Sequence, residues 1–498
     1  MSKILFINPS LRLNSKNKFL PVGIATIMSY FKQNNISFDF LDVDIDDLSD
    51  DKVTEFLSKN HYDIFLSGSI VTHYKWMKWL TNQIRQYNNN AKIIVGNSVA
   101  GSIPEVFLGN SEADIAVIGE GELTSLEVVQ KILAGENDWE QVEGIAFKDK
   151  NGKVTVNPRR SAVKKLDDFP MIDWSNFNTE KYFQNSYAFA HAIDDKKVRI
   201  MPITTARGCA FKCTFCHFVF WNDPYRYRSP ESIIKELARN IEKYNCNYVS
   251  FWDDLSFASL AQAERLADAI IASGLTFKWN AAVRVDLFGN PKHSKERRLT
   301  VAKKFKDAGC MDLGFSLESA NAQILEMMNK KISAEYFIEQ VRILEEAGIS
   351  SSISVVFGYP IETPETIKET FELCFKAKLY PSIGYLLPLP STGMYEYAKK
   401  HGYIQDEDKY LDSITERQDL CLNMTKMADD QVKDLIAQGA EDLNSRLKLG
   451  LTNKSLIKTG GYNNHTKSSK MKKLTRDKNS LILNYGDAQF EANLGTSN

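Results

Sequence analysis

No stretch of the 498-residue sequence approaches the roughly eighteen uninterrupted apolar residues that a membrane-spanning helix requires, so no membrane span is expected. Nor is charge of one sign in excess. With 62 Lys and Arg against 63 Asp and Glu, nothing draws the whole chain toward nucleic acid or an anionic lipid surface, and neither is an expected partner. Cysteine is scarce, seven in all, odd in number and mostly scattered, which excludes a disulfide framework and points to a reducing compartment. The apolar run at 4–7 behind Met1-Ser2-Lys3 is too short for a signal-peptide core, and a cytoplasmic location is the expectation. What is present, 43% hydrophobic and 25% charged residues, is the balance of a globular protein, and the length suits about three structural units.

Two stretches alternate β-rich runs with amphipathic helical patterns, the mark of parallel sheets covered by helices. The first has strand-like runs at 4–8, 37–41, 63–67, 93–96 and 115–119, which predict a five-stranded doubly wound α/β domain over 1–140. The carboxyl ends of these runs read Asn8-Pro9-Ser10, Ser67-Gly68-Ser69, Gly96-Asn97-Ser98 and Gly119-Glu120-Gly121-Glu122, small and polar as a ligand-facing rim requires. A connector over 141–195 follows, with a hairpin expected at Asp149-Lys150-Asn151-Gly152. Alternation restarts at 200–204, 248–251, 277–283, 313–317, 353–357 and 383–387. These six units predict an incomplete (β/α)6 barrel over 196–400, with its chemistry at the carboxyl ends of the strands. Ser229-Pro230-Glu231 ahead of Ile233, Ile234, Leu237 and Ile241 reads as a capped helix start. A small helical region over 401–450 is expected to cap the barrel. The remainder, 451–498, is polar and made locally basic by Lys467, Lys470, Lys472, Lys473 and Arg476; it is expected to be a flexible, solvated tail.

Behind the first barrel strand stands Arg207-Gly208-Cys209-Ala210-Phe211-Lys212-Cys213-Thr214-Phe215-Cys216. Three thiolates on one short loop can hold three irons of a cubane cluster, leaving the fourth iron open to an exogenous chelator. A structural zinc site with His217 as fourth ligand is the alternative, although such sites usually draw two ligand pairs from separate elements. Cys246, Cys310, Cys374 and Cys421 read as small hydrophobes, and His73, Trp76, Trp79 and Trp221 as loop or packing residues.

The CxxxCxxC spacing, with Phe215 before the last cysteine, resembles the radical S-adenosylmethionine (SAM) superfamily. The resemblance implies that Cys209, Cys213 and Cys216 ligate a [4Fe-4S] cluster and that SAM chelates its open iron. One electron, from a donor such as flavodoxin or ferredoxin, then splits SAM into methionine and a 5′-deoxyadenosyl radical. SAM contacts are implied at the later strand ends: Asp253 and Asp254 for the ammonium, Arg284 for a carboxylate, Ser316 and Glu318 for the methionyl carboxylate and ribose hydroxyls. Gly358 lets backbone approach the adenine, and the Phe215 backbone lies beside the same ring.

A doubly wound domain followed by this barrel resembles the cobalamin-binding subclass of radical SAM enzymes. The matching pieces are Asn8-Pro9, Leu20-Pro21-Val22-Gly23, Gly96-Asn97, residues 119–122 and Pro388-Leu389-Pro390-Ser391-Thr392-Gly393. There are two departures. Residues 8–23 contain neither His nor Asp, so a bound cobalamin is not histidine-ligated by that first-strand loop. Asn97 stands where the family commonly has glycine, either crowding the nucleotide tail of the cofactor or donating a hydrogen bond to it. The implied function is cobalamin-dependent methyl transfer to an unactivated carbon of a small-molecule or peptide substrate. The alternative is a rearrangement, cyclisation or oxidation, with or without cobalamin, and a non-catalytic sensor is a third reading.

Overall fold

The computed structural model describes residues 2–11, 17–186, 198–217, 220, 222–452 and 456–457. The first sheet is centred on β1 (Ile4–Asn8), β2 (Asp39–Asp42), β3 (Ile64–Gly68), β4 (Lys92–Gly96) and β5 (Ile115–Val117), parallel in the order β2-β1-β3-β4-β5. Leu5, Ile7, Phe65, Ile93 and Val95 pack into one core, while Ile4, Phe6, Ile64, Leu66 and Ile94 pack into another. Burial on both faces is why these runs are apolar throughout rather than alternating. The connections leave β1 and β3 in opposite directions, which opens a crevice at their carboxyl ends.

The expected five strands are all present, but the sheet has seven. The hairpin assigned above to the connector forms β6 (Ile145–Lys148) and β7 (Val154–Val156), which add antiparallel beyond β5. The physical reason is burial: Ile145, Ala146 and Phe147 are buried, and their pairing covers an edge of β5 that would otherwise stay open. Asp149 Oδ1 accepts from the N–H groups of Asn151 and Lys153, and Gly152 takes φ +78°, closing the turn.

The second sheet consists of β8 (Ile200–Ile203), then, after the short antiparallel pair β9 (Ala206–Arg207) and β10 (Arg226–Tyr227), β11 (Tyr248–Phe251), β12 (Lys278–Ala282), β13 (Cys310–Glu318), β14 (Ser350–Phe357) and β15 (Ser382–Tyr385). Its six strands run parallel in the order β15-β14-β13-β12-β11-β8, the incomplete barrel expected. The helix Pro230–Tyr244 begins at the Ser229 cap as read, and it buries Ile233 and Leu237. On β13, Leu313, Phe315 and Leu317 pack into the core, so Asp312, Gly314, Ser316 and Glu318 share the opposite face. That polar face hid the true start of the strand, which lies three residues before the apolar pattern begins.

The long helix Asp429–Leu447 packs on the outer helix Pro364–Lys376, where Gly439 lies so close to Phe371 that a Cβ would meet its ring at 2.3 Å. This helix therefore lies on the outside of the barrel. Within the same 401–450 region the stretch around Arg417 lies against β15, its carbonyl accepting from Tyr385 N–H and its guanidinium donating to Ser382 Oγ at 2.9 Å. Of the expected tail, Leu451 and Leu456 are buried; the basic residues 467–476 lie outside the described residues. Among the described residues no helix is long and apolar enough to cross a membrane.

Candidate active site

The cysteine loop leaves β9 through Gly208, at φ +78°. Its backbone is held from two sides. Thr214 donates from N–H to Met328 O and from Oγ1 to Met327 O, both at 2.9 Å, and Asn329 Nδ2 donates to Lys212 O at 2.8 Å. From the other side, Met394 N–H donates to Thr214 O at 2.9 Å. Cys213 is buried, Cys209 and Cys216 are half-buried, and each thiol feels its neighbours electrostatically. Burial pushes the Cys216 thiol up to about 12 and Cys209 upward as well, so ionisation calls for a positive partner such as iron. His217 is engaged elsewhere: Nδ1 donates to Pro390 O at 2.8 Å, and Nε2 lies 3.3 Å from Ser102 Oγ. Among the described residues no three His, Cys, Asp or Glu side chains converge on a single ion. Three soft thiols without a fourth protein donor fit a cluster with one open iron, and the zinc reading loses its fourth ligand.

Of the residues implied to hold SAM, Arg284 lies against the Phe211 ring of this loop, and Asp254 is close enough to Cys209 and Cys216 to act on both electrostatically. Asp253, named above as an ammonium acceptor, has both oxygens taken: Oδ1 accepts from the N–H groups of Thr205 and Ala206 at 2.7 and 3.0 Å, and Oδ2 from Thr205 Oγ1 at 2.6 Å. It fastens the end of β8 to β11. Both carboxylates line the cavity, Asp254 is the more exposed of the two, and desolvation by the surrounding protein together with the Asp253 charge pushes it up to about 6. The Arg284 guanidinium lies 3.4 Å over the Phe211 ring and donates to Asp286 Oδ1 and Lys330 O at 3.0 and 2.7 Å. Ser316 Oγ meets Ser354 Oγ at 2.7 Å.

Glu318 is the strained member. It is buried at φ +64°, where the β13–β14 register slips, and its Oε1 accepts from Lys330 Nζ at 2.9 Å while Oε2 has no partner. A buried orphaned oxygen at the end of a barrel strand is what a hydroxyl-bearing ligand would satisfy. Lys330 was not found from sequence, because nothing in Asn329-Lys330-Lys331 marks it. The only available signal was the need of a buried Glu318 for a cation. Lys330 Nζ also lies 5.6 Å from the Phe215 ring centre, and that ring meets Tyr359 edge-on at 6.4 Å. Gly358, at φ +102°, donates its N–H to Glu362 Oε2 at 3.2 Å, and burial pushes the Glu362 carboxyl up to about 7.

A cavity of about 720 Å³ joins the two sheets at their carboxyl ends. Gly68, Gly96, Asn97 and residues 119–122 line one wall; Trp252, Asp254, Asn280 and Gly314 line the other. The first wall is backbone brought close: a Cβ on Gly68 would lie 3.0 Å from the Gly96 carbonyl. Asn97 adopts φ +62°, the conformation glycine would take, and its Oδ1 accepts from Ser98 N–H at 2.6 Å. It thus caps the helix Ser98–Gly101. His73 stacks on Trp76, with ring centres 4.9 Å apart, and does not line the cavity; burial pushes it down to about 4.

Family models match this architecture piece by piece: the radical SAM superfamily over residues 203–374 and the B12 binding domain over residues 10–129. The chain carries a radical SAM domain and a B12-binding domain. It is 27% identical to an uncharacterized methyltransferase of Pyrococcus horikoshii over 76% of this chain and 78% of the relative. It is 26% identical to the anaerobic magnesium-protoporphyrin IX monomethyl ester cyclase of Rubrivivax gelatinosus over 74% of this chain and 65% of the relative. Two solved structures share the fold at TM-score 0.65: OxsB with aqua-cobalamin and SAM bound, at 18% identity over 86% of this chain and 58% of that one, and TsrM from Kitasatospora setae with cobalamin and a [4Fe-4S] cluster bound, at 17% identity over 81% and 76%.

Inside the radical SAM domain, Asp312 is buried, with one oxygen accepting from Ser352 Oγ at 2.7 Å and the other unpaired. Burial pushes its carboxyl up to about 7 from an ordinary 3.8. The folded state therefore binds the extra proton between those values, and stability falls as pH rises from about 4 to 7. Relative to Asp312→Asn, wild type is expected to lose on the order of 4 kcal/mol across that window, with no further change above it. Thermal unfolding of both proteins from pH 4 to 8 checks this; a constant difference refutes it.

Proposed function

We propose that this protein is a cobalamin-dependent radical SAM methyltransferase acting on an unactivated carbon of a small-molecule or peptide substrate. The observation that carries the reading is the single cavity onto which both the glycine-lined rim and Asp254 open. When bound, the cluster supplies the electron that splits SAM and the corrin supplies the methyl group. The chain's own residues orient and enclose. Asp254 accepts the SAM ammonium, Arg284 pairs with its carboxylate, and Glu318, oriented by Lys330, offers its free oxygen to a ribose hydroxyl. Trp252 and Phe19, with ring centres 5.3 Å apart across the domain interface, exclude water from one side of the cavity. The electron donor is a flavodoxin or ferredoxin, and the setting is cytoplasmic.

The test is iron and cobalt per chain after anaerobic purification from cells supplied with cobalamin. About four irons per chain and one cobalt are expected. Iron without cobalt moves the second reading, a radical rearrangement or cyclisation, ahead. That reading draws its support from the 26% identity to a cyclase over 381 residues.

A further inference from the structure

The β9–β10 pair closes the whole cysteine loop at its base, and its two strands place Arg207 and Arg226 opposite each other in register. Both cross the domain interface to one carboxylate. Arg207 donates to Glu120 Oε1 at 2.8 Å, and Arg226 donates to Oε1 and Oε2 of the same residue at 3.0 and 3.1 Å. The second branch of Arg207 donates to Glu122 Oε1 at 2.5 Å. All four side chains are buried, at 11, 7, 7 and 4% exposure for Arg207, Arg226, Glu120 and Glu122. Phe169 and Phe220 lie against the Arg207 guanidinium at 4.8 and 5.7 Å.

Such a network adds little net stability, because each charge has lost its water, but it tolerates little change in geometry: moving Glu120 takes the only paired carboxylate from Arg226, leaving it the carbonyls of Pro224 and Val163, and one of its two carboxylates from Arg207, which keeps Glu122. Glu120 also sits between Gly119 and Gly121 on the cavity wall opposite the SAM residues. A ligand resting on that wall bears directly on the residue from which the cysteine loop hangs.

Resting on the function proposed above, we propose that Glu120 is a positioning residue that couples the two cofactor sites. A corrin seated against Gly119-Glu120-Gly121 fixes Glu120, and Arg207 and Arg226 pass that constraint to the loop carrying Cys209, Cys213 and Cys216. Linkage makes the effect reciprocal, so SAM must favour the corrin by the factor by which the corrin favours SAM.

The experiment measures the SAM Kd of the cluster-reconstituted protein by equilibrium dialysis, with and without saturating hydroxocobalamin, and the hydroxocobalamin Kd by visible absorbance, with and without SAM. In wild type each ligand is expected to tighten the other by about fivefold or more, equally in both directions. In Glu120→Gln, which keeps shape and loses charge, the factor is expected to fall toward one. In Glu127→Gln, on the same helix but paired with Arg160 away from the cavity, it stays at the wild-type value. If Glu120→Gln does not fold, Arg226→Lys, which keeps the charge but not the two-oxygen contact, should give an intermediate factor. An undiminished factor in Glu120→Gln, or in Arg226→Lys used in its place, overturns the proposal. So does a wild type that binds both ligands independently, which leaves the methyltransferase reading standing. A wild type that binds SAM but no hydroxocobalamin removes both.

Discussion

Replacing Cys213 with alanine is expected to reduce bound iron from about four per chain to below one and to bring 5′-deoxyadenosine formation from SAM below detection. The thiol is buried in a loop whose backbone is held from both sides, so no other cysteine can move in to replace it. Cys209→Ala and Cys216→Ala should behave alike, because each removes one of only three protein ligands. Cys374→Ala is the control. That thiol is fully buried on the inner face of the helix Pro364–Lys376 and pushed up to about 12 by burial alone, as a packing residue should be. It should keep its iron and lose only modest stability. Iron analysis with chromatography of the SAM products decides the matter, and retained cleavage in Cys213→Ala would sink the cluster assignment.

Lys330→Met is expected to have the next largest effect. Lys330 and Glu318 are 10 and 6% exposed, and removing the cation leaves both Glu318 oxygens buried without a partner. Breaking such a pair costs about 3–5 kcal/mol, against near-neutrality when both partners are replaced together. The single variant should therefore unfold at clearly lower temperature and weaken SAM binding at least tenfold. Lys330→Met combined with Glu318→Gln should recover much of the stability but not the SAM affinity. That split separates the two roles of the pair: a purely structural pair would recover both, and a pair irrelevant to the site would lose neither.

Much of the molecule could be read before its structure. Alternating apolar runs located eleven parallel strands because burial on both faces leaves a dense local signal, and the three cysteines proposed as ligands lie within eight residues of each other. What escaped depends on distant pairing. Asp253 and Asp254 are adjacent identical residues that both line the cavity, and only the position of Thr205 shows that the first is a fastener. Lys330 lies twelve residues from Glu318 with no motif to mark it. Glu120 was legible as part of a small, polar rim, yet its two arginines come from a hairpin some ninety to a hundred residues on. The strands β6 and β7 looked like a connector because the edge that they cover is invisible until β5 is in place.

The cysteine loop is tied by hydrogen bonds from Met327, Met328 and Asn329 on one side and Met394 on the other, and by β9–β10 at its base. Those ties come from the finished barrel, and this sets an order of assembly. The partners that shape the loop lie more than a hundred residues further along the chain, so Cys209, Cys213 and Cys216 take up their arrangement only once residues 327–329 and the helix Gly393–Lys400 have packed against it. The loop is among the last parts of the barrel to be fixed, and its geometry answers to the packing of the whole barrel rather than to its own ten residues.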